Sequence, residues 1–165
     1  MKIRIAGTVN DSIVDGEGIR FTIFVQGCPH HCEGCQNPQT HDFNGGMIVD
    51  TDELLEKIKN NPLLDGVTFS GGEPFCHAAA LADMGRKIKA MGLDIITYTG
   101  YTFEELYANR DKNNWEELLD ITDYLVDGKF ELSLKSYNIR FRGSTNQRYL
   151  NCKESIKTGK AIKYL

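Results

Sequence analysis

Apolar residues along the chain follow two spacings, and their alternation predicts most of the elements. Ile3, Ile5 and Val9 fall on alternate positions and predict a strand over Lys2–Val9; the β-branched and aromatic run Arg20–Gln26 predicts a second. Gly66–Ser70, Leu93–Tyr98 and Asp123–Val126 read as three further short strands. Helical spacing fills the gaps. From Thr51 to Asn60, Leu54, Leu55 and Ile58 share a face, Asp50 and Glu53 have capping-box spacing, and Pro62 stops the helix. From near His77 to Met91, the stripe is Leu81, Met84, Ile88 and Met91, ended by Gly92. Thr102 and Glu105 open another helix as a capping box, and Trp115–Leu119 forms a short one. No element is assigned within residues 129–165.

Short strands alternating with amphipathic helices indicate βα units around a mainly parallel sheet, an α/β fold. A closed eight-stranded barrel takes about 250 residues. This chain has 165, enough for part of one, so a partial TIM-like βα barrel or a small open sheet is expected, as a single domain over residues 1–165. In such folds ligands collect beyond the carboxyl ends of the strands. Three unusual segments stand there: Gly27–Asn37, Ser70–Pro74 and Thr97–Gly100. They are expected to converge.

Composition narrows the chemistry. A net charge of −4 without a basic stripe argues against nucleic acid as a ligand. The basic residues of the last third, such as Arg140, Arg142, Lys153 and Lys160, read as a solvated face. No apolar run approaches the roughly 20 residues that span a bilayer, and the first residues lack a signal-peptide core. A cytoplasmic protein is expected. In a reducing compartment, clustered cysteines bind metal or do redox chemistry more often than they form disulfides.

Three of the five cysteines lie close together as Cys28-x-x-x-Cys32-x-x-Cys35. Soft thiolates select zinc or iron–sulfur clusters. Full ligation of a [4Fe–4S] cube takes four cysteines, so three leave one iron open to a substrate. The spacing leaves a second reading open, a structural zinc site completed by His30, His31 or His41. As individual residues His30 and His31 read as loop positions, and Cys76 and Cys152 as small buried hydrophobes. Gly71-Gly72 after a strand is, alone, a βα turn.

Taken together, the cysteine spacing and Ser70-Gly71-Gly72-Glu73-Pro74 resemble the radical S-adenosylmethionine enzymes. Asp15-Gly16-Glu17-Gly18-Ile19-Arg20-Phe21 and Gln26-Gly27-Cys28-Pro29 are similar to the activases of glycyl-radical enzymes. Cys35-Gln36-Asn37-Pro38, Asp127-Gly128-Lys129-Phe130 and Arg142–Arg148 narrow the resemblance to the branch that serves anaerobic ribonucleotide reduction. It implies a [4Fe–4S] cluster on Cys28, Cys32 and Cys35, with S-adenosyl-L-methionine as the second cofactor. The implied partners are the glycine-bearing large subunit of an anaerobic ribonucleoside-triphosphate reductase and an electron donor such as flavodoxin or ferredoxin. A formate-lyase-type activase and a zinc-binding adaptor are the alternatives.

The resemblance also implies the cofactor contacts. Gly71, Gly72 and Glu73 are expected to meet the methionine ammonium group, with Glu73 as an acceptor. Thr97, Tyr98, Thr99 and Gly100 are expected at the ribose or carboxylate oxygens, with Asp127 and Lys129 placed similarly. Many relatives carry an aromatic residue just before the third cysteine, where this chain has Gly34; the adenine is therefore expected on backbone of Gly34 and Gln36, beside Cys35. Arg142–Arg148 is expected to act as a recognition loop. No catalytic side chain beyond cluster and cofactor is implied.

Overall fold

A computed structural model describes all 165 residues. Its frame is one seven-stranded sheet, in the order β3-β1-β2-β4-β5-β6-β7. The strands are β1 (Lys2–Ser12), β2 (Arg20–Val25), β3 (Met47–Asp50), β4 (Gly66–Gly71), β5 (Asp94–Tyr98), β6 (Tyr124–Asp127) and β7 (Arg148–Asn151). The helices are α1 (Thr51–Lys59), α2 (Ala78–Ala90), α3 (Phe103–Ala108), α4 (Trp115–Ile121) and α5 (Cys152–Thr158).

The central strands β2, β4, β5 and β6 pair in parallel, each joined to the next through at least one helix. Both flanks are antiparallel: β1 with β2, β1 with β3, and β6 with β7. The expectation of a mainly parallel sheet is thus corrected to a mixed one. The physical reason lies in the connections. Residues 13–19 form only a hairpin loop, and residues 128–147 contain no helix able to carry a parallel crossover.

The strand pleat divides the residues between two faces. Phe21, Ile23, Val25, Val67, Phe69, Ile95 and Leu125 join Leu54, Ile58, Leu81, Met84, Ile88, Leu118 and Leu119 in the main core. The opposite face is more polar. There Arg20 is 1% exposed, pairs with Asp94, and donates to Thr68 Oγ1 (2.7 Å) and the Val67 and Glu17 carbonyls (both 2.9 Å). A buried guanidinium is tolerable only with its donors spent in this way. It locks the 13–19 loop onto β2, β4 and β5.

Several boundaries differ from expectation. Strand β1 runs on to Ser12, and a 3-10 turn over Pro74–His77 precedes α2. Met91 caps α2 at 38% exposed rather than completing its stripe. The capping box of Thr102 and Glu105 is present on both sides.

Candidate functional site

Strand β2 delivers the cysteine loop. Gln26, at the end of β2, is buried, and its amide donates to the carbonyls of Gln39 (3.0 Å) and Asp42 (2.7 Å). Gly27 N–H donates to Thr40 O (2.7 Å) and Cys28 N–H to His41 O (3.2 Å). A segment not assigned from sequence, residues 37–42, therefore backs the loop. Within the loop His31 and Gly34 take positive φ, 51° and 72°, curling the chain between the thiols. Cys35 N–H donates to Cys32 O (3.2 Å), and Asn37 N–H points at Cys35 Sγ (3.4 Å).

All three thiols are free and line one cavity of about 770 Å³. That volume lies within the roughly 300–1,000 Å³ typical of small-molecule sites. The three strand-end segments do converge there. Gln36 and Asn37 come from the cysteine loop, Ser70, Gly71 and Gly72 from β4, and Tyr98, Thr99 and Gly100 from β5. Two further walls were not expected at the cofactor, although Asp15 and Phe130 belong to segments that carry the resemblance: Val14 and Asp15 before β2, and Phe130, Tyr137 and Phe141 before β7. Their contribution is non-local and carries no spacing signal.

Five expected contacts do not line the cavity: Thr97, Gly34, Glu73, Asp127 and Lys129. Thr97 shares the helix-facing side of β5 with Ile95 and bonds Thr122 (2.9 Å) beneath the sheet. The same alternation that predicted the strand carries this signal. Gly34 turns its α-carbon toward Leu132, whose side chain would stand 2.9 Å from an added Cβ. Glu73 is fully buried, and its carboxylate is spent on protein donors: His30 Nε2 (2.7 Å), Thr99 Oγ1 (2.8 Å), Gly100 N–H (2.8 Å) and Phe75 N–H (3.0 Å). No direction is left for a ligand ammonium group. Asp127 likewise is spent, on Arg148 and the N–H of Phe103. The Arg142–Arg148 stretch is braced by Gln147, which takes the N–H groups of Gly143 (2.7 Å) and Ser144 (3.2 Å), while Arg142 and Gly143 line the cavity.

Burial pushes the Cys28 thiol up, opposed mainly by the N–H of His30 and reinforced by the carboxylate of Glu73. Cys32 is also pushed up by burial, opposed first by the N–H of Phe130. Both are held as thiols until a metal displaces the protons. A single zinc ion would draw three or four ligands to about 2.0–2.3 Å of one point. No three His, Cys, Asp or Glu side chains gather in that way. Three free thiols lining one cavity, with the Asn37 N–H aimed at Cys35 Sγ, supply the soft donors that an iron–sulfur cluster takes. The donor set fits an iron–sulfur cluster.

Comparison with known proteins agrees with that fit. Residues 14–150 match the family model of a 4Fe-4S single cluster domain. The anaerobic ribonucleoside-triphosphate reductase-activating protein of Pasteurella multocida is 35% identical over 143 residues, covering 82% of this chain and 89% of that one. Its counterpart in Escherichia coli K12 is 34% identical, covering 82% and 90%. The phage T4 protein of the same name is 33% identical, covering 82% and 85%. The chain belongs to the anaerobic ribonucleoside-triphosphate reductase-activating proteins. It is thus an iron–sulfur protein, and the free thiols at the end of β2 are the cysteines available in its cavity. QueE from Escherichia coli shares the fold, with a TM-score of 0.52 at 19% identity over 62% of this chain and 54% of that one.

Proposed function

We propose that the chain is a radical S-adenosylmethionine activase that places a glycyl radical on the large subunit of an anaerobic ribonucleoside-triphosphate reductase. One observation carries the reading. Three free thiols open into the same cavity as the Gly71-Gly72 turn and the Tyr98–Gly100 strand end, in a chain of this family. Cys28, Cys32 and Cys35 are assigned to a [4Fe–4S] cluster. Held by those three thiolates, the group would supply one electron, received from the donor protein, for the reductive cleavage of S-adenosylmethionine into methionine and a 5′-deoxyadenosyl species able to take hydrogen from the glycine.

The chain's own residues do the placing. The Gly71–Gly72 backbone and Ser70 offer polar groups to the methionine end, and Gln36, Tyr98 and Gly100 flank the remainder of the cavity. Val14, Tyr137 and Phe141 line it with apolar surface, and Val14 and Tyr137 are themselves exposed, at the open side of the cavity. The open sheet is read as an incomplete βα barrel within a single domain, its unclosed side admitting a glycine-bearing loop. No helix is long and apolar enough to cross a membrane. Cytoplasmic placement and a flavodoxin or ferredoxin donor complete the proposal.

The test is incubation of reconstituted, reduced protein and S-adenosylmethionine with the reductase. A glycyl doublet in electron paramagnetic resonance is expected. Its absence with a competent reductase, or its appearance on a formate lyase instead, contradicts the assignment of the partner.

A further inference from the structure

His30 and Glu73 read from sequence as a loop residue and a ligand acceptor, and the structure joins them to each other. His30 stands two positions after Cys28. Its side chain is 6% exposed, and its Nε2 lies 2.7 Å from Oε1 of Glu73, which is 0% exposed. The same carboxylate holds Thr99 Oγ1 and the N–H of Gly100, both at the end of β5. Glu73 N–H donates to Gly27 O (2.8 Å), the root of the cysteine loop. One buried carboxylate therefore ties together the cysteine loop, the β4 turn and the β5 end.

The packing around the pair is specific to it. A Cβ on Gly100 would stand 2.4 Å from His30 Cδ2, so a side chain there would displace the imidazole. Tyr101 meets the ring edge-on at a centroid distance of 4.6 Å. Inside a protein, a fully satisfied polar network of this kind is stiff, and removing one member leaves its partners unpaired.

We propose that His30 and Glu73 are positioning residues. Their buried contact sets where the cluster stands relative to the strand ends that hold S-adenosylmethionine, and Glu73 acts through it without reaching that ligand. This rests on the activase reading above. A misplacement of about 1 Å at a reacting center costs on the order of 100-fold in rate. The contact is a direct side-chain link between the cysteine loop and the strand ends.

The test compares His30→Ala, Glu73→Gln and Gly100→Ala with His30→Gln, whose amide N–H reaches the same acceptor. Each protein is reconstituted and reduced, and its spectrum recorded with and without S-adenosylmethionine. The expected result is full iron content and a native cluster spectrum without the cofactor in all four. In the first three, the spectral change on adding cofactor should be altered, and kcat for 5′-deoxyadenosine release should fall roughly 10- to 100-fold, more than KM rises. His30→Gln should recover most of both. The double variant His30→Ala/Glu73→Gln should be no worse than the worse single one.

Wild-type rate and spectra in His30→Ala overturn the role. So does a rise in KM confined to Glu73→Gln, which would make Glu73 a direct ligand acceptor. Loss of iron from both His30 variants overturns it as well, since the pair would then belong to cluster binding. A wild-type protein that cleaves nothing overturns the activase reading itself, whatever the variants do.

Discussion

At the scale of single residues, Gly72 shows how the site is built. A Cβ there would lie 2.3 Å from the carbonyl oxygen of Gly27, the backbone root of the cysteine loop. From sequence, Gly72→Val is expected to weaken cofactor binding and spare the cluster. The structure reverses half of that: the valine must push the cysteine loop itself. Gly72→Val should therefore lose iron as well as cofactor affinity, checked by iron analysis of the reconstituted protein. Full iron content would show that the loop yields without cost. Cys152 is a second case. Its thiol is fully buried, donates toward Leu119 O, and is pushed by burial up to about 12 from 9.0. Between these values the folded state keeps a proton that the unfolded state releases, so this contribution to stability falls as pH rises. Cys152→Ala should flatten part of the stability loss between about pH 9 and 12, measured by urea unfolding of the metal-free protein. An unchanged slope would contradict it. Cys152 is the small hydrophobe expected from sequence; Cys76 is exposed and is not.

At the scale of elements, what was legible depended on whether the signal was local. The box of Thr102 and Glu105 is written in two residues three positions apart, and it opens α3 as expected. Thr102→Ala should cost about 1 kcal/mol, read from the urea midpoint at constant slope. Leu81 and Met84 were legible because α2 repeats every third or fourth position, and Leu81 is 0% exposed. Leu81→Ala should cost about 2–5 kcal/mol in the same measurement, a loss far beyond that of the cap. By contrast β3 has only four residues, and its pairing partner β1 lies more than forty positions away. The stretch 128–147 is shaped by Gln147 and Asn146 reaching backbone groups at Gly128, Lys129, Gly143 and Ser144, a pattern without periodicity. Thr97 lies away from the cavity because strand alternation puts it on the helix-facing side with Ile95.

At the scale of the whole molecule, the three strand-end segments meet because β2, β4 and β5 run parallel and finish side by side. That convergence was legible from spacing. The antiparallel flanks were not, since they depend on a 13–19 loop too short for a crossover and on a 128–147 stretch with no helix to carry one. The sheet ends on β3 at one side, while at the other residues 162–165 cover β7, with Asn151 N–H donating to Ile162 O and Tyr164 N–H to Tyr149 O (both 2.8 Å); the 128–147 wall next to β7 forms one side of the cavity mouth. On the proposed function, this cavity cleaves S-adenosylmethionine with a cluster on Cys28, Cys32 and Cys35. The direct measurement is anaerobic: reconstitute the protein with iron and sulfide, reduce it, add the cofactor, and quantify 5′-deoxyadenosine by chromatography beside a Cys32→Ala control. The account predicts product from the intact protein and none from the control. A fully assembled, reduced cluster that yields no 5′-deoxyadenosine would contradict it.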